Sequence, residues 1–370
     1  MAKNTMYFDM DQKFIERFQG RLKQSFFYII DKCNMKCIYC LYKPNLNFRL
    51  VEEMIPKNII KALASDFQEL GAIKLTLMGG EPTLYPKNSL FEIIKYLKLE
   101  LGYKYVRIDT NGMFPSTILR ERNFQLLDEI TFSIDCSRQE INDKVRIGGN
   151  LNKIMRNIMT ALKLGYKVQV TSTVHKYNQA YIEELVRYLE KIGVQYVNFH
   201  PIFKMGVPRD VWIPEDIYIT PRDWLSLYER INKKIQGEKY GITVRIPERL
   251  IQKDKFESNR EYYGYCPEKL FERILVHPNG ILRICALMIG TPYGIAWFNG
   301  RISKIVWNNT STNELRDNDL NNYTPCPKQR ALYLDNYYPL CISFKPEQKE
   351  IVYEELRWES RRKKRPSHNR

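Results

Sequence analysis

The chain has 370 residues, of which 44% are hydrophobic and 27% are charged, so it is long enough to build one large core or two domains. The opening stretch MAKNTMYFDMDQKF carries charges where a signal peptide requires an apolar segment, and the longest uncharged run, residues 284–300, contains Pro292, Gly290 and Gly294. These features exclude secreted and membrane-spanning classes and predict a cytoplasmic protein. In that reducing compartment, eight cysteines favour metal or redox chemistry over disulfides.

The net charge of +16 at pH 7 is partly local. The tail SRRKKRPSHNR, residues 360–370, contains six Lys and Arg residues and no acid. We expect a disordered, solvated tail, which we favour over a contact with an acidic partner such as RNA or an acidic peptide. The 25 tyrosines and 17 phenylalanines are scattered and form no basic–aromatic stripe, so nucleic acid is a partner that we do not favour.

Strand-like and helix-like segments alternate along the first 200 residues. The predicted strands are SFFYII (25–30), IKLTLM (73–78), KYVRID (104–109), ITFSI (130–134), KVQVTSTV (167–174) and QYVNFH (195–200). The predicted helices cover residues 56–70, 90–101, about 118–127, 150–165 after a cap at Asn150, and 178–193 after a cap at Asn178. Six strand–helix units predict an α/β fold with a parallel sheet, curved into a partial TIM-like (β/α) barrel. In such folds the working residues lie in loops after the carboxyl ends of the strands.

Those loops contain the unusual motifs of the sequence. They are Cys33-x3-Cys37-x2-Cys40 after the first strand, Gly79-Gly80-Glu81-Pro82 after the second, Thr110-Asn111-Gly112 after the third, and Asp135-Cys136 after the fourth. Because the strands are parallel, all of these loops lie at one rim of the sheet, where we place the functional site.

Three cysteines in eight residues permit several interpretations. A disulfide does not suit the compartment, and a zinc knuckle would need two more ligands at suitable spacing. Inert buried thiols are the third alternative, although a polar loop is an unusual place for them. His175, His200 and His277 are interpreted as strand-end or surface residues rather than ligands. An iron–sulfur cluster with three protein thiolates, whose fourth iron takes a non-protein ligand, fits best.

The cysteine motif, with Tyr39 before its last cysteine, resembles the signature of the radical S-adenosylmethionine (radical SAM) superfamily, and the Gly-Gly-Glu-Pro loop strengthens the resemblance. It implies that Cys33, Cys37 and Cys40 hold a 4Fe–4S cluster. S-adenosylmethionine then chelates the fourth iron and is cleaved reductively to methionine and a 5′-deoxyadenosyl radical, which abstracts hydrogen from an unactivated carbon. Flavodoxin or ferredoxin is the kind of low-potential electron donor that the resemblance implies.

The resemblance also implies cofactor-binding roles for rim residues. Gly79 and Gly80 would let the backbone approach the methionyl ammonium, and Glu81 would accept a hydrogen bond from it; the alternative for the glycines is an ordinary turn. Ser133 and Asp135 resemble the segment that contacts the adenosyl ribose, and Arg146 the arginine that pairs with the cofactor carboxylate, with a surface charge as its alternative. As a departure from the pattern, Cys136 is a speculative hydrogen-atom donor to a substrate radical, against the alternative of a small packed hydrophobe.

Four further cysteines, Cys266, Cys285, Cys326 and Cys341, follow the predicted barrel. With Gly280-x4-Cys285 and a following Trp-containing segment, they resemble the SPASM/twitch extension of the same superfamily, which implies one auxiliary 4Fe–4S cluster. The chain lacks a Cys-x2-Cys pair after Cys326, which puts the fourth ligand in doubt, and zinc with four thiolates is the alternative. The predicted organisation is an N-terminal arm (1–24), the barrel (25–215), a linker region (216–265), the auxiliary-cluster domain (266–345) and the basic tail (346–370).

The sequence therefore predicts a radical SAM enzyme. A peptide or protein is the leading substrate class, modified by oxidation, crosslinking or epimerisation. The 32 residues before Cys33 are too few for the leader-recognition domain that many peptide modifiers carry at this end. A radical SAM dehydrogenase or epimerase of a small sugar or phosphorylated metabolite is the close alternative. A non-catalytic iron–sulfur or zinc-binding module is the alternative from another class.

Overall fold

The computed structural model of the protein describes residues 6–40, 53–204, 213–237, 241–246, 250–259, 270–286, 294–308 and 336–339. Within these ranges the strands form one twelve-stranded sheet and one two-stranded sheet. None of the helices in the described part of the chain is both long and apolar enough to cross a lipid bilayer. The larger sheet is the scaffold that positions the rim loops.

The strands have the following bounds. They are β1 (Asp9–Met10), β2 (Gln24–Ile30), β3 (Lys74–Gly79), β4 (Tyr105–Thr110), β5 (Glu129–Ser133), β6 (Val168–Val174), β7 (Tyr196–Pro201), β8 (Thr243–Arg245), β9 (Leu250–Gln252), β10 (Arg273–Val276), β11 (Ile281–Arg283), β12 (Ala296–Asn299), β13 (Lys304–Trp307) and β14 (Tyr337–Pro339). The larger sheet has the order β1-β13-β12-β11-β10-β2-β3-β4-β5-β6-β7-β8. Strands β2 to β8 are all parallel to their neighbours, which confirms the predicted parallel sheet and adds a seventh parallel strand to it.

The helices lie in the connections between strands. The α-helices are Gln12–Phe18, Lys57–Glu69, Lys87–Lys95, Gln139–Val145, Leu151–Lys163, Ile182–Lys191, Pro221–Gly237 and Lys253–Ser258, and a π-helical turn, Tyr96–Glu100, continues the third of them. Asn150 caps its helix as predicted, because its side chain accepts a hydrogen bond from the Lys153 N–H at 2.9 Å.

Two sequence predictions about helices are wrong. The segment predicted as a helix over about 118–127 contains only two 3₁₀ turns, Ser116–Arg120 and Phe124–Leu126, which the extended residue Glu121 separates. Asn178 does not cap the helix after it. Its side-chain amide instead donates to the carbonyl oxygens of Asp135 (2.7 Å) and Thr173 (2.8 Å).

The two faces of the larger sheet differ in polarity. Phe27 and Ile29 are fully buried, and the Phe27 ring lies 5.9 Å from that of Phe67 on the helix Lys57–Glu69, so this face carries the apolar core. The alternate residues therefore point away from the helices. On this second face, Phe26, Thr76, Arg107 and Glu129 are cross-strand partners on four successive strands. This second face, called the inner face below, is mainly polar.

The C-terminal strands extend the same sheet. Strand β10 pairs in parallel with β2, and β11, β12 and β13 follow as antiparallel neighbours. Strand β1 of the N-terminal arm closes this side by pairing with β13. The Asp66 carboxylate accepts the backbone N–H groups of Tyr7 and Phe8, both at 2.8 Å, which ties the arm to the helix Lys57–Glu69. In the described residues, strands of the predicted N-terminal arm, barrel and auxiliary-cluster domain thus share one continuous sheet. The five-segment division stays a prediction.

Candidate functional site

The cysteine loop leaves the carboxyl end of β2 and is held by backbone hydrogen bonds to a second loop. The N–H of Lys36 donates to the carbonyl of Ile147 at 2.7 Å, and that of Ile38 to the carbonyl of Val145 at 3.0 Å. Cys33, Cys37 and Cys40 are all free thiols and all partly exposed. The fold therefore presents three thiols from one short loop at the rim of the sheet.

Burial acts against the charged form of these thiols. It raises the pKa of Cys33 to about 11, while the Met35 N–H (3.4 Å) and the Asn111 amide (3.6 Å), which both donate to this sulfur, oppose the rise. Burial also raises the pKa of Cys37, and the positive charge of Arg146 opposes it. In the described residues, no three His, Cys, Asp or Glu side chains are gathered closely enough to hold a single metal ion. The donor set of three thiols with N–H groups directed at the Cys33 sulfur fits an iron–sulfur cluster.

Gly79 and Gly80 have a packing role that the sequence did not predict. Gly79 has a φ of +146°, and a Cβ there would lie 2.2 Å from the carbonyl oxygen of Ile30. A Cβ on Gly80 would lie 2.2 Å from the carbonyl oxygen of Lys32. The space beside both glycines is filled by the start of the cysteine loop, so the glycines fix that loop against β3. Their predicted approach to a cofactor stays a prediction.

Glu81 is fully buried and its carboxylate is surrounded by donors. Oε1 accepts from the Thr83 N–H (3.1 Å), the Thr83 hydroxyl (2.6 Å) and the Thr110 hydroxyl (2.8 Å), and Oε2 accepts from the Asn111 N–H (2.8 Å). Burial raises the pKa of Glu81 and these hydrogen bonds oppose the rise. The carboxylate joins the loops after β3 and β4. The predicted contact of Glu81 with a cofactor ammonium stays a prediction.

Asp135 and Arg146 form a buried ion pair. The Nε and Nη2 of Arg146 donate to the two carboxylate oxygens of Asp135 at 2.9 and 3.1 Å, and the Tyr39 hydroxyl and the Thr173 N–H donate to the same carboxylate. The alternative of a surface charge for Arg146 is wrong, because its side chain is only 7% exposed. Asp135 and Arg146, both predicted to bind the cofactor, are thus bonded to each other. Ser133, the third residue of this prediction, is partly exposed at the end of β5.

Two histidines expected at strand ends or on the surface are fully buried. His175 lies at the end of β6 beside Tyr39, with 6.1 Å between ring centroids, and burial lowers its pKa to about 4. His277 stacks on Tyr28 with centroids 4.5 Å apart, and burial lowers its pKa strongly. The strand-end placement is confirmed for both, because His175 directly follows β6 and His277 directly follows β10, whereas surface placement is wrong.

Cys136 lies just after the carboxyl end of β5. The side chain is fully buried, and its charged neighbours are Arg138 and Glu184, which form an exposed ion pair with each other at 2.8 Å. Glu184 belongs to the helix Ile182–Lys191, so this thiol lies near the helical layer. Its role as a hydrogen-atom donor and the alternative of a small packed hydrophobe both stay predictions.

The sequence interpretation missed a charged network on the inner face. Arg107 pairs with Asp109 at 2.8 Å and lies 3.9 Å from Glu129, which also pairs with Lys167 at 3.0 Å. Burial raises the pKa of Asp109, and the charge of Arg107 opposes it. The signal was present in the sequence as alternation, for example Tyr105, Arg107 and Asp109 between apolar residues in YVRIDT.

Tyr28 lies on the inner face near two cysteines of separate loops. Burial raises the pKa of its phenol strongly; the charges of Asp109, Cys40 and Cys285 act in the same direction and that of Arg283 opposes them. Cys40 and Ala286, which follows Cys285, both pack against the cluster of Tyr28 and Leu275. The cysteine loop and the segment after β11 therefore meet at Tyr28.

The remaining candidate ligands lie outside the described residues. Cys285 is described and is a partly exposed free thiol. Cys266, Cys326 and Cys341, predicted with it as auxiliary-cluster ligands, are not among the described residues.

Comparison with known proteins agrees with this geometry. Residues 27–200 match the Radical SAM superfamily. The GTP 3′,8-cyclase of Limosilactobacillus fermentum is 29% identical over 178 residues, which cover 47% of this chain and 53% of that protein. The enzyme of the same name from Aquifex aeolicus is 32% identical over 169 residues, 45% of this chain and 52% of that protein. The chain thus spans about half the length of these curated relatives.

Solved structures share the fold at low sequence identity. The structure of Streptococcus suis SuiB bound to the precursor peptide SuiA superimposes with a TM-score of 0.60 at 16% identity, over 76% of this chain and 63% of that one. Native anSMEcpe with bound AdoMet gives a TM-score of 0.57 at 16% identity, over 74% of this chain and 77% of that one. Residues 27–200, which match the Radical SAM superfamily, include the cysteine loop and the parallel strands that carry it.

Proposed function

We propose that the protein is a radical SAM enzyme that acts on a small anionic molecule, of the phosphorylated or nucleotide class, bound against the inner face. The family's 4Fe–4S cluster and S-adenosylmethionine supply a 5′-deoxyadenosyl radical when both are bound. Cys33, Cys37 and Cys40 are the proposed cluster ligands. The buried pair of Asp135 and Arg146 holds Tyr39, and with it the end of the cysteine loop, against the carboxyl ends of the strands.

The charge of the inner face is the observation that carries the substrate class. Within the described residues of strands β2–β8, β10 and β11, and at Lys167 directly before β6, this face has six cations against two acids, which leaves an excess of four positive charges. The cations are Lys74, Arg107, Lys167, Arg245, Arg273 and Arg283, and the acids are Asp109 and Glu129. A recessed surface of one dominant charge attracts ligands of the opposite charge, and guanidinium groups suit phosphate oxygens.

The relatives named GTP 3′,8-cyclase support the same class, because the substrate in their name is a nucleoside triphosphate. This proposal reverses the order of the sequence interpretation, in which a peptide or protein came first and a small phosphorylated metabolite second. We also propose that Cys285, with Cys266, Cys326 and Cys341, binds one auxiliary 4Fe–4S cluster of SPASM/twitch type. Zinc is the alternative metal there.

The test is anaerobic turnover of the reconstituted protein with S-adenosylmethionine and a low-potential reductant. Formation of 5′-deoxyadenosine is compared with no addition, with a panel of nucleoside triphosphates headed by GTP, with sugar phosphates, and with acidic and basic peptides. We expect a phosphorylated compound to increase 5′-deoxyadenosine formation and to change mass by a defined amount. Stimulation by peptides alone would overturn the substrate class. Absence of S-adenosylmethionine cleavage under every condition would favour a non-catalytic cluster-binding module.

A further inference from the structure

Asn111 is a rim residue that lies between Glu81 and Cys33 and is hydrogen-bonded to both. The resemblance to the radical SAM superfamily gave it no role. Asn111 follows β4 and is 8% exposed. Its backbone N–H is fixed by the Glu81 carboxylate at 2.8 Å. Its side-chain oxygen accepts the Met113 N–H at 2.8 Å, which turns the amide nitrogen toward the cysteine loop.

The amide nitrogen of Asn111 has two acceptors on that loop. It donates to the side-chain oxygen of Asn34 at 2.8 Å and lies 3.6 Å from the Cys33 sulfur. Asn34 in turn donates to the carbonyl of Met113 at 3.0 Å, so the two loops are joined in both directions. The Met35 N–H is a second donor to the same sulfur at 3.4 Å.

We propose that Asn111 is a positioning residue that donates an N–H group to the Cys33 thiolate of the cluster, and that buried Glu81 acts through Asn111. The inference rests on the proposed assignment of Cys33 as a cluster ligand. Hydrogen bonds to cysteine sulfur stabilise the more negative, reduced form of an iron–sulfur cluster, so they raise its reduction potential. Glu81 and Asn111 thereby affect how readily the cluster is reduced.

The experiment measures the midpoint potential of the reconstituted cluster by redox titration monitored by electron paramagnetic resonance, without substrate. Cys266→Ala and Cys285→Ala are present in every protein compared, so that only the rim cluster contributes. Asn111→Leu removes the donor at similar size, and Asn111→Asp keeps the acceptor for Met113 but removes the donor. We expect a more negative potential in both, with the larger shift in Asn111→Asp because it also adds a negative charge.

Asn157→Leu is the matched control. Asn157 is buried and donates to the carbonyls of Gly112 and Phe114, both at 2.9 Å, so it holds the same loop from the opposite side without contacting the cysteine loop. We expect it to lower the melting temperature and to leave the potential unchanged. Glu81→Gln should shift the potential in the same direction as Asn111→Leu.

The outcomes separate this inference from the proposed function. An unchanged potential in Asn111→Leu and Asn111→Asp, with iron content equal to the parent protein, would overturn the role of Asn111 and leave the proposed function intact. A parent protein that binds no iron at the rim would overturn the cluster assignment and this inference with it. Loss of iron from both Asn111 variants, while Asn157→Leu loads normally, would support a direct contact with the ligand Cys33.

Discussion

The rim loops and the inner face of the sheet are encoded in different ways. The rim is built from short contiguous motifs, each of which follows one strand: the cysteine triad, Gly79-Gly80-Glu81 and Thr110-Asn111-Gly112. The inner face is built from alternate residues of many strands, such as Arg107, Glu129 and Arg283, that become neighbours only when the sheet forms. The motifs of the rim indicate the type of reaction, and in our proposal the inner face determines which substrate binds.

The two regions also differ in how their charges are compensated. Every carboxylate described at the rim is surrounded by donors, as in the buried pair of Asp135 with Arg146 and in Glu81. The inner face instead has more cations than acids, and Arg245 on β8 makes no ion pair within the described residues. The rim is therefore a self-contained support, whereas the inner face has charge left for a ligand. This comparison can be tested with variants of each region.

Loss of one rim thiol should have the largest effect. Cys40→Ala should abolish 5′-deoxyadenosine formation and reduce the iron content by about four atoms per chain, because the cluster loses one of three thiolates. Iron analysis and chromatography of the nucleoside product measure this. Cys136→Ala is the control, since that buried thiol lies near the helical layer, and its iron content should stay at the wild-type level. Wild-type product formation by Cys40→Ala would contradict the assignment of the rim.

Breaking the buried ion pair of the rim should be the largest change in stability. Arg146→Leu leaves the Asp135 carboxylate buried and uncompensated, which costs about 3–5 kcal/mol in the free energy of unfolding. Urea denaturation measures the loss, and the double variant with Asp135→Asn should recover much of it. Arg138→Leu breaks the exposed pair with Glu184, whose side chains are 45% and 43% exposed, and should cost less than about 1 kcal/mol. Equal losses in the two single variants would contradict the difference between a buried and an exposed pair.

Much of the fold could be predicted from the sequence, because the strands and their direction follow from local alternation and from the helices between them. The six predicted strands all occur as parallel neighbours within one or two residues of their predicted bounds. The structure of the segment over about 118–127 was not predictable from its apolar residues alone, since the extended residue Glu121 separates its two 3₁₀ turns.

The partners of the rim residues could not be predicted, because they are distant in sequence. Glu81 is bonded to Thr110 and Asn111, and Asp135 to Tyr39 and Arg146, pairs whose sequence separation carries no local signal. The inner face was missed for another reason. Parallel strands are usually apolar on both faces, so the alternation in VQVTSTV and YVRIDT was interpreted only as evidence for strands.

A variant of Arg245 tests whether the inner face binds the anionic substrate. Arg245→Gln removes a guanidinium that has no ion pair in the described part of the chain, so we expect a weaker affinity for the anionic substrate with little change in stability. The loss of one charge-assisted hydrogen bond costs about 1.5–3 kcal/mol, or about tenfold or more in affinity. Substrate-stimulated 5′-deoxyadenosine formation gives the KM, and cleavage of S-adenosylmethionine without substrate should be unchanged. Arg230→Gln is the control that should leave KM unaltered, because this half-exposed side chain of the helix Pro221–Gly237 pairs with Glu183 away from the inner face.

The smallest effect is the acid sensitivity of His175 at the rim. Burial holds its pKa at about 4, below the value of 6.5 in an unfolded chain; the charges of Arg146 and Lys144 act in the same direction and that of Asp135 opposes them. Because the unfolded state binds the proton first, stability is lost as the pH falls from 6.5 toward 4, by about 1 kcal/mol between pH 7.5 and pH 6. His175→Asn keeps an acceptor for the Tyr177 N–H, which now donates to the histidine Nδ1 at 3.2 Å, and removes the titration. Denaturation curves of both proteins across this range give the difference directly. Asp66, whose pKa burial raises to about 6, loses stability in the opposite direction, as the pH rises, and is common to both proteins, so it cancels in the difference. A pH dependence of equal slope in the two proteins would show that His175 is not the group that titrates.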